Sequence, residues 1–452
     1  MLFACHRLAL CVATVVLGGL LSQVSSAETL GDTQNSVGLP DMRDANLKSY
    51  ARTANGARAA ESIQSISVLL DSDPIYGPPG HGFPVNGGQY NVFSNMIIAL
   101  SPSAADVGVA IESLAAGSNA NLSSATLAAS SSVINSMRMA MQPIDGDSGL
   151  PVGLDSSQTP FLADSGVPSA LRNLNNPGAQ GRVWLLGTGN YGRLDGEHGT
   201  DSLEQRTVGS VLGVDWSLSS LWRIGVLGGY SKSNLDSHNL DGQLRSWHVG
   251  AYAMREDGPF VLRLGAAYSS HDGDNRRTVE FTGFSERPKG RYDADSQQAF
   301  AEAGYRLGSG RWSVEPFASL GYQRYHRDQF TEKGGMSALA VDAQTQDNLS
   351  STFGVRLAQR HQLPNGISLK PRTSLGWRHT YGDVDSQTRQ AFVLGGNAFK
   401  VEGTPLDRDS LAVEAGLDVG LSARHTLSVG YSADLSSNSR NHALIGQWQV
   451  SF

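Results

Sequence analysis

Cysteine is nearly missing from this chain: of 452 residues two are cysteine, Cys5 and Cys11, both within the first eleven. Disulfide scaffolds, thiol nucleophiles, CxxC redox pairs and cysteine-rich zinc sites are thereby excluded from everything downstream. Charge is also scarce, at 17% of residues against the ~25% usual for soluble domains. With 35 Lys and Arg against 42 Asp and Glu, the basic footprint of a nucleic-acid binder is absent, and no nucleic-acid partner is expected. After Leu21 no stretch approaches 18 unbroken apolar residues, which excludes a transmembrane helix. Tryptophan is absent before position 184, and all seven lie between Trp184 and Trp448.

The two cysteines sit in a segment with the layout of an export signal. His6 and Arg7 give a weakly positive start, Leu8 to Leu21 an apolar core, and Ser25-Ser26-Ala27 a small-residue cleavage site. Residues 1–27 are therefore expected to be a signal peptide read by the Sec translocon, with the mature chain starting at Glu28. Residues 28–142 form a short region of scattered Ser, Ala, Gly and Pro. Within it, Ala54–Leu70, Ala104–Ala116 and Leu122–Met141 carry helical spacing, with Ala60, Ile63, Ile66 and Leu70 near one face. Residues 143–181, with five prolines and many glycines, read as a linker.

From Arg182 the hydrophobic period becomes two and stays so to the end. In His425–Leu435, the residues Leu427, Val429, Tyr431, Ala433 and Leu435 alternate with Thr426, Ser428, Gly430, Ser432 and Asp434. Twelve such segments fill residues 182–452. Short connections, such as Ser219-Ser220, Asp257-Gly258 and Ala423, alternate with longer polar ones at 195–202, 273–294, 327–344 and 382–407. The connections after the third and eleventh segments are less clearly long. An even number of antiparallel strands, with short turns at one end and long loops at the other, is the pattern of a transmembrane outer-membrane β-barrel.

The two faces decide which solvent each meets. Arg223, Arg263, Glu302, Glu315, Lys370, Arg372, Glu414, Asp418 and Asp434 lie on the polar face. Packing them into a dry soluble core would be prohibitive. In a wet lumen they cost little, and the apolar face then meets lipid. Trp222 and Trp312 fall beside short turns, whereas Tyr230, Tyr268, Tyr322, Trp377 and Tyr431 fall toward the opposite strand ends. Two aromatic girdles flanking a ~25 Å apolar band would sort this way. Pro316 and Pro371 occupy matching places in two strands that echo each other, Ser313–Tyr322 and Ser368–Trp377. A shared bulge is expected there.

On several stretches the chain resembles the translocator β-domain of monomeric autotransporters (type V secretion). They include Gly225–Tyr230, Gly250-Ala251-Tyr252, Glu302–Tyr305, Glu315-Pro316-Phe317, Gly376–His379 and the terminal Gly446–Phe452. The resemblance implies an all-β, 12-stranded barrel in the Gram-negative outer membrane, with a short, partly helical passenger displayed at the cell surface. It implies roles in protein secretion and virulence through adhesion or host interaction, and a monomeric state. It also implies that Trp448, Val450 and Phe452 form the terminal signal read by the barrel-assembly machinery. One linker segment should remain in the pore, the candidates being Pro168–Asn175 and Leu122–Met141.

Catalytic leads are few. Gly146–Pro151 resembles the nucleophile segment of chymotrypsin-like serine proteases around Ser148, with His81 the sole histidine upstream in the mature chain. An Asp-Gly turn in a linker accounts for it as well. Asn175-Asn176 resembles a pore asparagine pair that some autotransporters cleave, but Pro177 follows directly. His238 and Ser246 are the conceivable pair for a lipase on the barrel wall. No HxH or HExxH spacing, phosphate loop or GxSxG elbow occurs, so neither a metal nor another cofactor is expected. A non-enzymatic translocator is the expected function. The alternatives are a surface hydrolase using Ser148 and a plugged outer-membrane channel.

Overall fold

The computed structural model describes residues 46–71, 97, 103–142, 181–308, 311–364, 366–422 and 424–452. Among these, twelve long strands form one antiparallel wall. They are β1 (Gly181–Leu194), β2 (Leu203–Ser217), β3 (Trp222–Ser237), β4 (Leu240–Asp257), β5 (Phe260–Arg277) and β6 (Lys289–Tyr305). Then come β7 (Trp312–Arg327), β8 (Gln344–Gln359), β9 (Ser368–Gly382), β10 (Asp409–Gly420), β11 (His425–Leu435) and β12 (Ser439–Ser451). Each pairs with its neighbours, and β12 returns to pair with β1 from Arg182 opposite Ser451 to Leu194 opposite Ser439. The wall is thus a closed cylinder without a free edge. The signal segment, Ser148, Pro168–Asn175 and Asn175-Asn176 lie outside the described residues.

Burial along the strands is inverted relative to a soluble protein. On β11, Val429 is 57% exposed, whereas Ser428 is 6% exposed. Among the described residues no helix is long and apolar enough to cross a membrane, so crossing falls to the strands. Strands β4 and β5 have 18 residues each, a length of about 60 Å along the strand. A ~25 Å band uses less than that even at ~40° tilt. The surplus projects from the long-loop end.

Several expectations need correction. Neither proline makes a bulge. Pairing between β6 and β7 runs to Gly304 opposite Phe317, lapses at Pro316, and resumes at Leu307 opposite Val314 in the same register. Pairing of β9 with the preceding segment likewise lapses at Pro371 between Arg372 opposite Ala358 and Leu369 opposite His361. On their other sides both prolines stay in register, Pro316 opposite Val355 and Pro371 opposite Leu417. Each proline skips the hydrogen bonds it cannot donate and leaves the strand count intact. The connection after β3 is the tight pair His238-Asn239. The expected long loops are themselves folded: Val279–Phe281 pairs with Phe284–Glu286, and Gln387–Phe392 with Gly395–Glu402.

Among the described residues three long α-helices precede the barrel: α1 (Ala54–Asp71), α2 (Ala104–Ala115) and α3 (Leu122–Ala140). Ser103 caps α2 by accepting from Asp106 N, and Ala116 ends it at φ 52°. Thr53 accepts from Gly56 N at the start of α1, while the Glu112 carboxylate of α2 accepts from Arg52 N and Thr53 N at 2.8 and 2.9 Å. That carboxylate stabilises the positive end of α1 and ties the helices together. Ala59, Ala60, Ile63 and Ile66 of α1 share one buried cluster with Val107, Ile111 and Leu114 of α2. Leu235, Leu240, Phe281, Phe330, Phe392, Phe399 and Val401 from the long-loop end join the same cluster.

Candidate functional site

The site is the lumen with α3 inside it. This helix is built from small residues, with Ala and Ser predominating in LSSATLAASSSVINSMRMA. Small side chains let its backbone approach the wall, and its hydroxyls are satisfied locally. Thr126 donates to Leu122 O at 2.8 Å, Ser130 to Thr126 O at 3.0 Å and Ser136 to Ser132 O at 2.8 Å. The wall reciprocates with glycine. A Cβ at Gly250 would collide with Met137 Cε, and one at Gly265 would lie 3.1 Å from Met137 Sδ. The helix therefore seats where the barrel lacks side chains.

Three levels of polar contact hold α3. At the short-turn end Arg182 Nη2 donates to Ala140 O at 3.0 Å, placing a cation at the negative end of the helix. Midway, the Ser130 hydroxyl lies 3.2 Å from His271 Nε2 and 2.9 Å from Ser296 Oγ. At the long-loop end Ser123 Oγ meets Ser386 Oγ at 2.8 Å. Segment Leu122–Met141, one of the two candidates the sequence offered, thus lies in the pore, and the other, Pro168–Asn175, falls outside the described residues. The helix packs on the β1–β7 side. A cavity of about 230 Å³ remains beside it, lined by Ser131, Asn135, Arg138, Asn348, Arg378 and Asp434 among others.

The inward charges form matched clusters near the short-turn end. Asp215 takes a two-pronged contact from Arg182, at 2.6 and 3.0 Å, and further hydrogen bonds from Arg223 at 2.9 Å and the Tyr252 hydroxyl at 2.6 Å. Trp184 Nε1 donates to that same hydroxyl at 2.9 Å. Across the lumen Arg263 donates to Glu302 at 2.9 Å and to Glu315 at 2.6 Å, while Arg356 bonds the same two carboxylates at 2.6 and 3.0 Å. Arg306 adds a contact to Glu315 at 3.2 Å. Charge-assisted, multiply bonded pairs of this kind offset the burial of their charges.

The remaining predicted lumen residues also face inward. Arg372 donates to Asp418 at 3.3 Å, and Arg378 pairs with Asp434 near the long-loop end. Glu414 and Lys370 line one small lumenal cavity with Gln142 and Arg372. The predicted aromatics all lie on outward positions. Trp312 and Trp377 are exposed by half or more, and Tyr268, Tyr322 and Tyr431 by more than two fifths, with Trp222 and Tyr230 half-buried. Tyr230 packs on Trp247 at 4.9 Å between ring centres. Trp448 faces outward, and Phe452 exchanges backbone hydrogen bonds with Gly181 at 3.0 and 2.9 Å, zipping the seam. Val450 is half-buried opposite Val183.

The conceivable lipase pair is not formed. His238 sits exposed in a turn, while Ser246 is buried in the lumen and meets His271 Nδ1 at 2.7 Å. His238 belongs to the rim turn between β3 and β4, whereas Ser246 faces the lumen within β4. Sequence reasoning missed Arg182, Asp215, Tyr252 and Arg356. All share the inward parity of their strands, which was the available signal. Their pairing across strands depends on stagger, which parity does not contain. Among the described residues no group of three or more His, Cys, Asp or Glu could hold a metal ion.

A closed twelve-stranded cylinder, greasy outside and charged inside, with its own upstream helix threaded through it, defines an outer-membrane translocator barrel. A family profile described as "Autotransporter beta-domain" matches residues 183–432, and the chain belongs to that family. It is 33% identical over 263 residues to "Extracellular serine protease" of Serratia marcescens, covering 58% of this chain and 25% of that one. It is 26% identical over 268 residues to "Esterase EstA" of Pseudomonas aeruginosa, covering 58% and 41%. The chain therefore spans less than half the length of these curated relatives. Among solved structures, the translocator domain of autotransporter NalP from Neisseria meningitidis shares the fold at TM-score 0.50 and 18% identity, covering 62% of this chain and 92% of that one. The barrel resides in the Gram-negative outer membrane and is not itself catalytic.

Proposed function

We propose that this protein is a self-plugged display autotransporter. Residues 1–27 are removed on export through the Sec translocon, and the barrel-assembly machinery reads Trp448, Val450 and Phe452. The barrel, residues 182–452, sits in outer-membrane lipid as a monomer, with Trp222 and Trp312 at one headgroup level and Tyr230, Tyr268, Tyr322, Trp377 and Tyr431 at the other. Residues 28–121 are the displayed passenger. The pore segment is α3, so the passenger ends about twenty residues earlier than position 142.

One observation carries the reading. The end of α3 meets Arg182 at the short-turn end, and its start meets Ser386 at the long-loop end. Short turns face the periplasm in barrels of this class, so residues 28–121 are delivered outward. Its role is non-enzymatic, in adhesion or host contact. Intact cells carrying the full chain, treated with an external protease and then fractionated, test this. A heat-modifiable barrel in the outer membrane, and labelling of a Lys48→Cys variant, at an exposed position, by an impermeant thiol reagent, are the expected results. A thiol at that position reached only after the outer membrane is breached overturns it. Hydrolase activity lost in Ser148→Ala would replace the non-enzymatic role with a surface hydrolase.

A further inference from the structure

The helices at the long-loop end do more than emerge there. The α1 side chain Asn55, almost fully buried, acts as a stand-in strand partner for the loop segment Gly395–Glu402. Its Nδ2 donates to Glu402 O at 2.7 Å and to His198 O at 3.0 Å, and its Oδ1 accepts from Glu402 N at 2.9 Å. Two to three turns further along, Ser62 donates to Asn397 O at 2.5 Å, and Ser65 Oγ accepts from Asn397 N at 2.7 Å. After α2, Asn121 Oδ1 accepts from Thr404 N at 2.8 Å. Backbone groups of an exposed hairpin are thus satisfied by side chains of the passenger.

Glycines mark the closeness of this fit. A Cβ at Gly396, whose φ is +91°, would lie 2.7 Å from Ile66 Cγ1, and one at Gly403 would collide with Asn121 Oδ1 and lie 3.2 Å from the backbone of Ala120. The apolar side is equally shared: Ile63 and Ile111 are fully buried in one cluster with Phe399 and Val401 of the hairpin. Among the described residues the two long helices of the cap have 18 and 12 residues, and helices of that length take most of their stability from tertiary packing. Much of their core belongs to the barrel's loops.

We propose that residues 46–71 and 103–121 are a docked cap rather than a freely tethered passenger. The hairpin Gln387–Glu402 is its receptor, and the cap folds only on that template. The segment is therefore retained on the barrel that exported it, packed on the loops at the end where α3 begins. What the cell presents is a composite surface of helices and loops. This inference rests on the display reading above.

Disulfide trapping tests it in the full chain, whose cysteines beyond position 11 would all be engineered. Ser65 and Asn397 stand at bridging distance, given the 2.7 Å contact between Ser65 Oγ and Asn397 N. In intact cells Ser65→Cys with Asn397→Cys should give a reductant-reversible mobility shift under mild oxidation, whereas either single variant should not. Gly403→Val, aimed at the docking contact and remote from the membrane wall, should abolish that shift and make residues 46–71 cleavable by external protease. A double variant that inserts and heat-modifies normally, with its cap labelled at the surface yet never cross-linked, overturns the docked cap while leaving display intact. A cap segment reachable only from the periplasm overturns the display reading instead.

Discussion

At Asp215 four hydrogen bonds from three side chains converge on one carboxylate that has no exposure to solvent. Removing it leaves Arg182 and Arg223 as neighbouring inward cations, and Arg182 then loses the partner that aims it at the end of α3. Breaking a buried pair from one side costs about 3–5 kcal/mol. Asp215→Ala should therefore lower the temperature at which the folded band converts to the unfolded one in electrophoresis. Arg206→Ala, on the outer surface with its side chain 73% exposed, should leave that temperature almost unchanged. At this scale the sequence was half legible. Strand parity named Arg223, Arg263, Glu302 and Glu315 as inward. It did not say that Arg356 would bridge Glu302 and Glu315, because residues on one lumenal level come from strands offset by the barrel's stagger.

Pro316 and Pro371 show the same limit for whole elements. Their matching positions were visible in the repeat, and a bulge was the ordinary inference. The ladders instead skip one step and resume in register. Pro316→Thr and Pro371→Thr should accordingly be tolerated, with outer-membrane yield and heat-modifiability equal to the parent. A bulge dependent on proline would make both variants defective. Helix α3 is the converse case. Its bounds were readable from period and composition, and its residues suited a pore. A second segment suited it on position alone. The wall receives α3 where Gly250 leaves room for Met137 and Ser296 meets Ser130.

For the molecule as a whole, the outward row of Leu212, Val226, Val249, Leu320, Phe353, Leu375 and Leu444 is exposed by between 46 and 63%. A surface of that extent does not persist in water. The purified full chain should stay folded in detergent micelles and precipitate when detergent is removed, as followed by light scattering and by the heat-modifiable band. A chain that remained monomeric and folded in plain buffer would refute the membrane assignment.

Alternation, punctuation and the sorting of charge determined by themselves that twelve strands close into a lipid-facing cylinder, since a period of two with one charged face admits few other homes. The same was true of the three helices upstream, whose spacing is local. Which segment fills the pore, which inward charges pair, and where α1 and α2 rest were decided by the tertiary structure alone. Each of these depends on surfaces contributed by residues far apart in the chain, such as Asn55 against Glu402, and no local pattern encodes that complementarity.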